Sequence, residues 1–221
     1  MRHTKTMSTA AVLAVAGGAT YAISRWPKMT SWGATAQELL QPLPGDEIVG
    51  SAKYRTTHAL TIHAPPDRVW PWLVQIGQGR GGLYSYDWLE NLAGLDIHSV
   101  DRIMPELQEL SVGDAIRLVP EGTEPDLTFR VVRVEPQCLL VLGPGSSREE
   151  ALESGMPYPC WTFSLRPLDG GKTRLVVRFQ SDFKPTALGW LMNKYGLEPI
   201  HFLMERKMML GIKERAERLA A

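Results

Sequence analysis

Residues 198–220 read EPIHFLMERKMMLGIKERAERLA, and this last segment of the chain decides the fold. Apolar residues recur at every fourth position, while lysine, arginine and glutamate occupy the opposite side. The pattern predicts one long amphipathic helix that packs a single face on a core. The predicted apolar stripe consists of Ile200, Met204, Met208 and Ile212.

Six segments ahead of this helix have the alternating or continuous apolar pattern of β-strands, and turn-like connections separate the later ones. Strands connected in this way pair antiparallel. A sheet whose final partner is one long helix has an inner face that only this helix can cover. The sequence therefore predicts an α+β fold in which a curved antiparallel sheet wraps around the C-terminal helix. The predicted strands are residues 56–64, 115–119, 127–134, 138–142, 159–165 and 172–181.

Two shorter helices are predicted between the first and second strands. Residues 67–76 are rich in large apolar side chains, and Pro71 lies in the first turn, where no intrahelical hydrogen bond is lost. Residues 85–93 form the second helix. Farther upstream, Thr35 and Glu38 have capping-box spacing at the start of a short helix. The predicted buried side of the second helix consists of Trp88, Leu89 and Leu92.

The length and composition allow one hydrophobic core. The chain has 221 residues, of which 44% are hydrophobic, so one domain with a modest extension is expected. The 24 Lys and Arg residues balance the 24 Asp and Glu residues, and no basic block interrupts the sequence. No nucleic-acid partner is expected, because phosphate binding requires an excess of positive charge.

No metal or cofactor is expected either. Cys138 and Cys160 are the two cysteines, and neither belongs to a CxxC pair or to a zinc-ligand spacing. They are predicted to be small buried apolar residues, with a disulfide left open for a domain outside the cytoplasm. Residues 77–82 form a glycine-rich loop that follows a helix and lacks the Lys-Ser or Lys-Thr of a phosphate-binding loop.

The first residues differ from the rest of the chain. Residues 6–24 are almost uncharged, with cations before them and with Trp26 and further cations after them. This pattern favours a retained membrane helix, while a cleaved signal peptide or a soluble helix remains open. We therefore predict a membrane localisation, with residues 1–28 as an N-terminal membrane anchor, residues 29–54 as a connector and residues 55–221 as the domain. The side of the membrane stays open, because cations flank both ends of the run.

Two motifs are similar to a known superfamily. The first is APPDRVWPWLVQIG at residues 64–77, and the second is GQGRGGLYSYDWLEN at residues 77–91, followed by Asp96-Ile97-His98 and Asp101-Arg102-Ile103. Together with the element order, they resemble the SRPBCC superfamily over about residues 50–221. This superfamily has the helix-grip fold and includes START lipid-transfer domains, pollen-allergen-like ligand binders and polyketide cyclase or dehydrase-like proteins. The resemblance implies a hydrophobic cavity between sheet and helix, and it implies neither a substrate nor a catalytic residue.

The candidate ligand-binding residues follow the glycine-rich loop. Arg80, Tyr84, Tyr86 and Asp87 combine a guanidinium with two phenols, which suits a carboxylate or a polarised carbonyl on an apolar ligand. The alternative is a local ion pair between Arg80 and Asp87 that holds the loop. His98 could extend this polar cluster as a base or as a loop-tying residue.

Other candidates lie on the helix and the strands. Met204 and Met208 could line a cavity or belong to plain core packing, because methionine adapts to both. His58 is predicted to be a hydrogen-bonded residue at the rim of the packed face. Arg174 and Arg178 share the opposite face of their strand and are predicted to be solvated.

These features favour a membrane-tethered carrier or sensor of a hydrophobic small molecule, such as a lipid or polyketide. The alternative is a cyclase or dehydrase-type enzyme, in which Asp87 or His98 removes a proton next to a carbonyl. A scaffold with a collapsed cavity is a third hypothesis. The sequence leaves the oligomeric state open.

Overall fold

The computed structural model describes residues 29–184, 186, 190 and 193–220 of the chain. The predicted membrane anchor, residues 1–28, lies outside the described residues. None of the helices within the described ranges is both long enough and apolar enough to cross a bilayer.

One six-stranded sheet forms the centre of the domain. All its neighbouring strands are antiparallel, and their order is β1-β6-β5-β4-β3-β2. All six predicted strands are present, within a few residues of their expected bounds, so the predicted antiparallel sheet is confirmed. The strands are β1 Tyr54–Ile62, β2 Ala115–Arg117, β3 Thr128–Glu135, β4 Leu139–Pro144, β5 Tyr158–Leu168 and β6 Lys172–Asp182.

The helices lie on both faces of the sheet and in its connections. The long C-terminal helix, α6, begins at Glu198 as predicted and packs against α3 and β1. The short helix α5 begins with a capping box that sequence reasoning did not identify. The helices are α1 Ala36–Leu40, α2 Asp46–Val49, α3 Pro66–Val74, α4 Asp87–Leu92, α5 Arg148–Ser154 and α6 Glu198–Ala220, with a 3₁₀ turn at Pro105–Leu107 and a π-helical turn at Asn193–Leu197.

The hydrophobic core lies between the inner face of the sheet and the helices α3 and α6. Side chains from all three layers, such as Phe163, Leu73 and Ile212, are fully buried there. The buried stripe of α6 differs from the predicted one, because Ile200 is 55% exposed and Met204 is only partly buried. Residues four positions apart are offset by about 40° around a helix, so a stripe at every fourth residue gradually turns away from the face that contacts the core. The buried stripe is Glu205, Met208, Met209, Ile212 and Ala216.

The orientation of α4 differs from the predicted one, and of its three residues predicted to be buried only Leu89 is partly buried. Trp88 is 69% exposed and Leu92 is 79% exposed, whereas Glu90 is buried. Asp87 fixes this rotation, because its carboxylate accepts hydrogen bonds from the backbone N–H and the hydroxyl of Ser99, both at 2.7 Å. Glu90 follows Asp87 by three residues and shares its inward face. Burial raises the pKa of Glu90 to about 7.

Residues 33–49 cover the outer face of the sheet. Thr35 and Glu38 form the predicted capping box of α1, with hydrogen bonds of 2.8 and 3.2 Å between each side chain and the backbone N–H of the other residue. The Glu38 carboxylate also accepts from Arg174, at 2.7 and 2.9 Å. This hydrogen bond lowers the pKa of Glu38 to about 2. A single carboxylate thus caps the helix and attaches it to β6.

The prediction that Arg174 and Arg178 are solvated is wrong. Both side chains point to the outer face as expected, but α1 and α2 cover that face, and Arg178 is 1% exposed. Its guanidinium donates to the Asp46 carboxylate at 2.7 Å, to the Thr57 hydroxyl and to three backbone carbonyls before α2. Both cysteines were predicted to be buried. This is confirmed for Cys160 and wrong for Cys138, which is exposed in the turn between β3 and β4, and both thiols are free.

Candidate functional site

The predicted pair between Arg80 and Asp87 is not present. The Arg80 guanidinium instead donates to the carbonyl oxygen of Val74 at 2.8 Å, at the end of α3. Burial lowers the pKa of Arg80, and Asp114 acts in the opposite direction. Asp87 is bound to Ser99, as described above. Arg80 therefore ties the glycine-rich loop to the end of α3, and Asp87 ties the start of α4 to Ser99.

The two predicted tyrosines differ in environment. Tyr84 is 1% exposed, with its ring perpendicular to that of Trp72 at 5.8 Å and the Arg215 guanidinium 4.8 Å from its ring centre. Burial raises the pKa of Tyr84. Tyr86 is half-buried, and the ammonium group of Lys207 on α6 lies 5.9 Å from its ring. Both tyrosines thus contact cations of α6.

The remaining predicted site residues are spread more widely. Met208 belongs to the buried core, and the carbonyl of Met204 accepts a hydrogen bond from Ser85 at 3.1 Å. His98 is exposed and contacts Asp96 at 3.0 Å. The structure thus brings the loop before α4 against α6, whereas His98 faces solvent. Ligand binding by this set of residues stays a prediction.

A second polar cluster, which we call the Glu205 cluster, lies inside the domain between the sheet and α6. It consists of Glu205, His58, Trp161, His201 and Tyr54. Glu205 accepts hydrogen bonds from Trp161 Nε1 at 2.8 Å and from His58 Nδ1 at 2.5 Å. Its carboxylate is also 3.4 Å from His201 Nε2, one turn earlier on α6. The Tyr54 hydroxyl lies 3.5 Å from His201 Nδ1.

The contacts of the Glu205 cluster assign charges to its members. His58 Nε2 lies 2.6 Å from the carbonyl oxygen of Met29, so both ring nitrogens of His58 face acceptors. Burial alone would lower the pKa of His58, but the hydrogen bond and charge of Glu205 raise it. Burial lowers the pKa of His201, against the attraction of Glu205. The pKa of Glu205 is lowered, because His201, His58 and Trp161 together outweigh its burial. The cluster therefore holds a His58–Glu205 ion pair, and His201 is the weaker base of the two histidines.

A cleft opens next to this cluster, where β1 begins, β6 ends and α6 starts. Its volume is about 200 Å³. Tyr54 belongs to both the cleft and the Glu205 cluster, so the phenol connects the buried acid to the surface. The cleft is lined by three aromatic residues, Tyr54, Phe183 and Trp190, by three cations, Lys53, Arg55 and Lys194, and by Thr30 and Glu198.

Burial perturbs the two acidic groups that line the cleft. It raises the pKa of Glu198 to about 7, against the attraction of Lys194. It also raises the pKa of Tyr54, to which Glu198 and Glu205 contribute by their negative charge. The phenol of Tyr54 is therefore protonated at neutral pH, and Glu198 is present there in both its protonated and its ionised form.

A more open depression of about 310 Å³ adjoins the cleft and shares Lys53 and Phe183 with it.

The sheet order and the single long helix that covers its inner face decide the fold. The chain has a helix-grip fold, in which an antiparallel sheet wraps around one long C-terminal helix. No protein-family model matches this helix-grip chain, and no curated protein matches it. Within the ranges that the structure describes, no group of three or more His, Cys, Asp or Glu residues is arranged to hold a metal ion.

Solved structures to which this chain is similar include an aromatase/cyclase from Streptomyces sp. R1128, with a TM-score of 0.45 and 12% identity, over 76% of this chain and 96% of that one. A norcoclaurine synthase mutant from Thalictrum flavum has a TM-score of 0.41 and 14% identity, over 76% and 96%. A polyketide-cyclase-like protein from Corynebacterium glutamicum has a TM-score of 0.34 and 19% identity, over 74% and 87%. All three TM-scores lie below 0.5, so the fold assignment rests on the topology of this chain itself.

Sequence reasoning missed most of the Glu205 cluster of this helix-grip domain. It identified His58 as a hydrogen-bonded residue of the packed face, but it did not consider Tyr54, His201 or Glu205. A signal was present in the sequence, because Glu205 lies four residues before Met209 and four after His201, on the face that packs inward. A glutamate on the buried face of a helix requires a partner, and histidine is a suitable one.

Proposed function

We propose that the helix-grip domain binds a hydrophobic small molecule in the cleft beside Tyr54. The observation that carries this proposal is the set of three aromatic rings, Tyr54, Phe183 and Trp190, around one concave space. Ligand sites are typically concave and mostly apolar, with a few polar groups that orient the ligand. Typical pockets have volumes of about 300–1,000 Å³. The volume of about 200 Å³ therefore suits a small ligand or one end of a longer one.

The binding test uses a neutral aromatic probe, 2-naphthamide, and isothermal titration calorimetry. We expect wild-type protein to bind the probe, and we expect Trp190→Ala to weaken binding about five- to tenfold, since an aromatic contact contributes about 1 kcal/mol. Trp88→Ala is the matched control, because Trp88 is 69% exposed on α4 and does not line the cleft. Absence of binding, or equal losses in the two variants, would overturn the proposal.

The proposal includes a membrane tether, which rests on the uncharged run of residues 6–24. Full-length protein is expected in the membrane fraction after a high-salt wash, and protein that begins at Met29 is expected in the soluble fraction with an unchanged circular dichroism spectrum. Full-length protein that is soluble and unprocessed would contradict the tether. Native mass spectrometry of the detergent-extracted protein should in addition reveal a co-purified apolar ligand.

A second candidate function is proton-transfer chemistry on a carbonyl compound held in the same cleft. The Tyr54 hydroxyl faces His201 Nδ1 at 3.5 Å, and Glu205 lies against the other ring nitrogen. A proton from the carbon next to a ligand carbonyl could move to the Tyr54 oxygen while the phenol proton moves to His201. The products are an enolate and a cationic His201, and the reverse transfer restores both.

Deuterium exchange of 2-tetralone in D₂O, followed by NMR, tests this second function. Wild-type protein is expected to accelerate exchange at the carbon next to the carbonyl, and Tyr54→Phe is expected to abolish the acceleration. Tyr86→Phe is the control, since Tyr86 belongs to the loop before α4 and not to the cleft. If the acceleration is lost in Tyr86→Phe instead, the site predicted from the sequence is favoured. If 2-tetralone binds but its deuterium exchange is not accelerated, this second function is excluded.

A further inference from the structure

Glu198 places a carboxyl group in the wall of the cleft. It is the first residue of α6, it is half-buried, and the aromatic rings of Tyr54, Phe183 and Trp190 line the same space. Among the residues that the structure describes, none forms a hydrogen bond or an ion pair with the Glu198 side chain. The carboxyl group is therefore available to a ligand that enters the cleft.

The surroundings of Glu198 favour its neutral form. Burial raises its pKa to about 7, against the attraction of Lys194. A protonated carboxyl group has an O–H donor, whereas a carboxylate only accepts hydrogen bonds. Glu198 thus changes from a hydrogen-bond donor to an acceptor as pH rises through about 7.

Tyr54 brings a second donor to the same wall. Its phenol is protonated at neutral pH, because burial and the negative charges of Glu198 and Glu205 raise its pKa. Its hydroxyl lies 3.5 Å from His201 Nδ1, at the limit of a hydrogen bond, so it can still bind a ligand. A carbonyl oxygen has two lone pairs and can accept from two such donors.

We propose that the ligand of this cleft is a neutral carbonyl compound with an apolar body, whose carbonyl oxygen accepts a hydrogen bond from protonated Glu198. This inference rests on the proposed function and names the ligand class of the same cleft. The apolar body would contact Phe183 and Trp190, and the Tyr54 hydroxyl would be the second donor. A ketone, an aldehyde or an ester has the required acceptor, whereas a hydrocarbon would leave the half-buried acid without a partner.

The hydrogen bond couples binding to protonation. A ligand that prefers the protonated acid raises the pKa of Glu198 in the complex, so its affinity is highest below about pH 7 and falls as pH rises above it. A neutral carbonyl ligand has no titratable group, so this pH dependence belongs to the protein. The titratable and charged groups around Glu198 are Tyr54, Arg55 and His58 of β1 with Lys53 just before it, Asp182 of β6, Lys194 of the π-helical turn, and His201 and Glu205 of α6.

The experiment measures the binding of two uncharged naphthalene probes to the full-length protein by equilibrium dialysis at pH 6 and pH 8. The ketone 2-acetonaphthone has a carbonyl acceptor and no donor, and 2-ethylnaphthalene has a similar outline without the oxygen. We expect the affinity for acetonaphthone to fall about fivefold from pH 6 to pH 8, because Glu198 changes from about nine-tenths to about one-tenth protonated. The affinity for ethylnaphthalene is expected to be equal at both pH values. A protein-free blank corrects for partitioning of the probes into detergent.

Two variants of Glu198 separate its contribution from those of the neighbouring groups. Glu198→Gln keeps an N–H donor at both pH values, so it is expected to bind acetonaphthone equally at both. Glu198→Ala lacks a donor and is expected to bind about three- to tenfold more weakly than wild type at pH 6. Glu214→Gln is the matched control and should retain the wild-type pH dependence, because Glu214 is exposed on the same helix and does not line the cleft.

The outcomes separate the two proposals. If the affinity for acetonaphthone is equal at both pH values, or if Glu198→Gln retains the wild-type decrease, the carbonyl inference is overturned while the cleft remains a binding site. A decrease that ethylnaphthalene shares overturns the inference as well, because that probe has no acceptor. If neither probe binds at either pH, the proposed function itself fails.

Discussion

Replacing Glu205 with Gln tests whether the buried ion pair stabilises the fold. Glu205→Gln keeps the shape of the side chain and retains an acceptor for Trp161, but it removes the charge opposite His58. Both partners of the pair are at most 1% exposed. Removing one partner of a buried ion pair costs about 3–5 kcal/mol, because the other charge is left without compensation.

The expected magnitude follows from this burial. His58 can release its proton in the variant, which limits the loss, so we expect a decrease of about 3 kcal/mol in the free energy of unfolding. For a protein of this size, 1 kcal/mol corresponds to about 2–4 °C in Tm, and the expected fall is about 6–12 °C. Glu217→Gln is the control, because it breaks a half-exposed pair with Lys213 on the same helix and should cost under about 1 kcal/mol.

The pH dependence has a defined sign. The raised pKa of His58 contributes stability that is complete below its unfolded value of about 6.5 and is lost as pH rises through the folded value. The lowered pKa of Glu205 contributes stability that is present above about 4.3 and is lost as pH falls through the folded value. Urea unfolding should therefore show the largest gap between wild type and Glu205→Gln between about pH 4.5 and 6.5. A gap below about 1 kcal/mol there, or one equal to the Glu217→Gln effect, would refute the reasoning.

Three further predictions concern other parts of the domain. Arg178→Met should lower the free energy of unfolding by about 3 kcal/mol and increase hydrogen exchange in α1 and α2, whereas Arg130→Met, at an exposed position, should do neither. If hydrogen exchange in Arg178→Met equals that of wild type, α1 and α2 stay in place without the arginine. Gly211→Ala should lower the Tm although alanine favours helices by about 1 kcal/mol, because its Cβ would lie 2.4 Å from a carbonyl oxygen of the loop before α4. Gly196→Ala should not lower the Tm, because the space around Gly196 is open, and equal Tm changes in the two variants would contradict this. Arg80→Ala should leave 2-naphthamide binding unchanged in calorimetry, because Arg80 does not line the cleft, whereas a loss of about 1–3 kcal/mol would place the ligand at the loop before α4 instead.

The sequence predicts the fold well, because the fold depends on local periodicity. The alternation of β6 and the length of α6 can be identified without any knowledge of their partners. The outward direction of Arg178 follows from the same alternation. Its burial does not, because the segments that cover it lie more than a hundred residues earlier in the chain.

The site was harder to predict for a similar reason. The rotation of α4 depends on the contact of Asp87 with Ser99, which a glycine-rich motif does not specify. The Glu205 cluster joins residues that lie 147 positions apart, His58 and Glu205, and only the pairing of β1 with β6 beneath α6 brings them together. Polar residues that are close in sequence form a recognisable motif, whereas the residues of the Glu205 cluster are close only in space and share no motif.

The start of the described chain borders the cleft. Met29 accepts the hydrogen bond of His58, Thr30 lines the cleft, and Trp32 lies beside His58 at 6.3 Å. The predicted anchor ends at residue 28, so only Met29 lies between it and Thr30 in the wall of the cleft, a span of about 7 Å at full extension. With residues 1–28 embedded in a bilayer, the cleft would be held at the lipid surface, and a ligand could pass between the two with almost no path through water. Because Met29 accepts the hydrogen bond of His58, a force on the anchor would act directly on the buried His58–Glu205 ion pair.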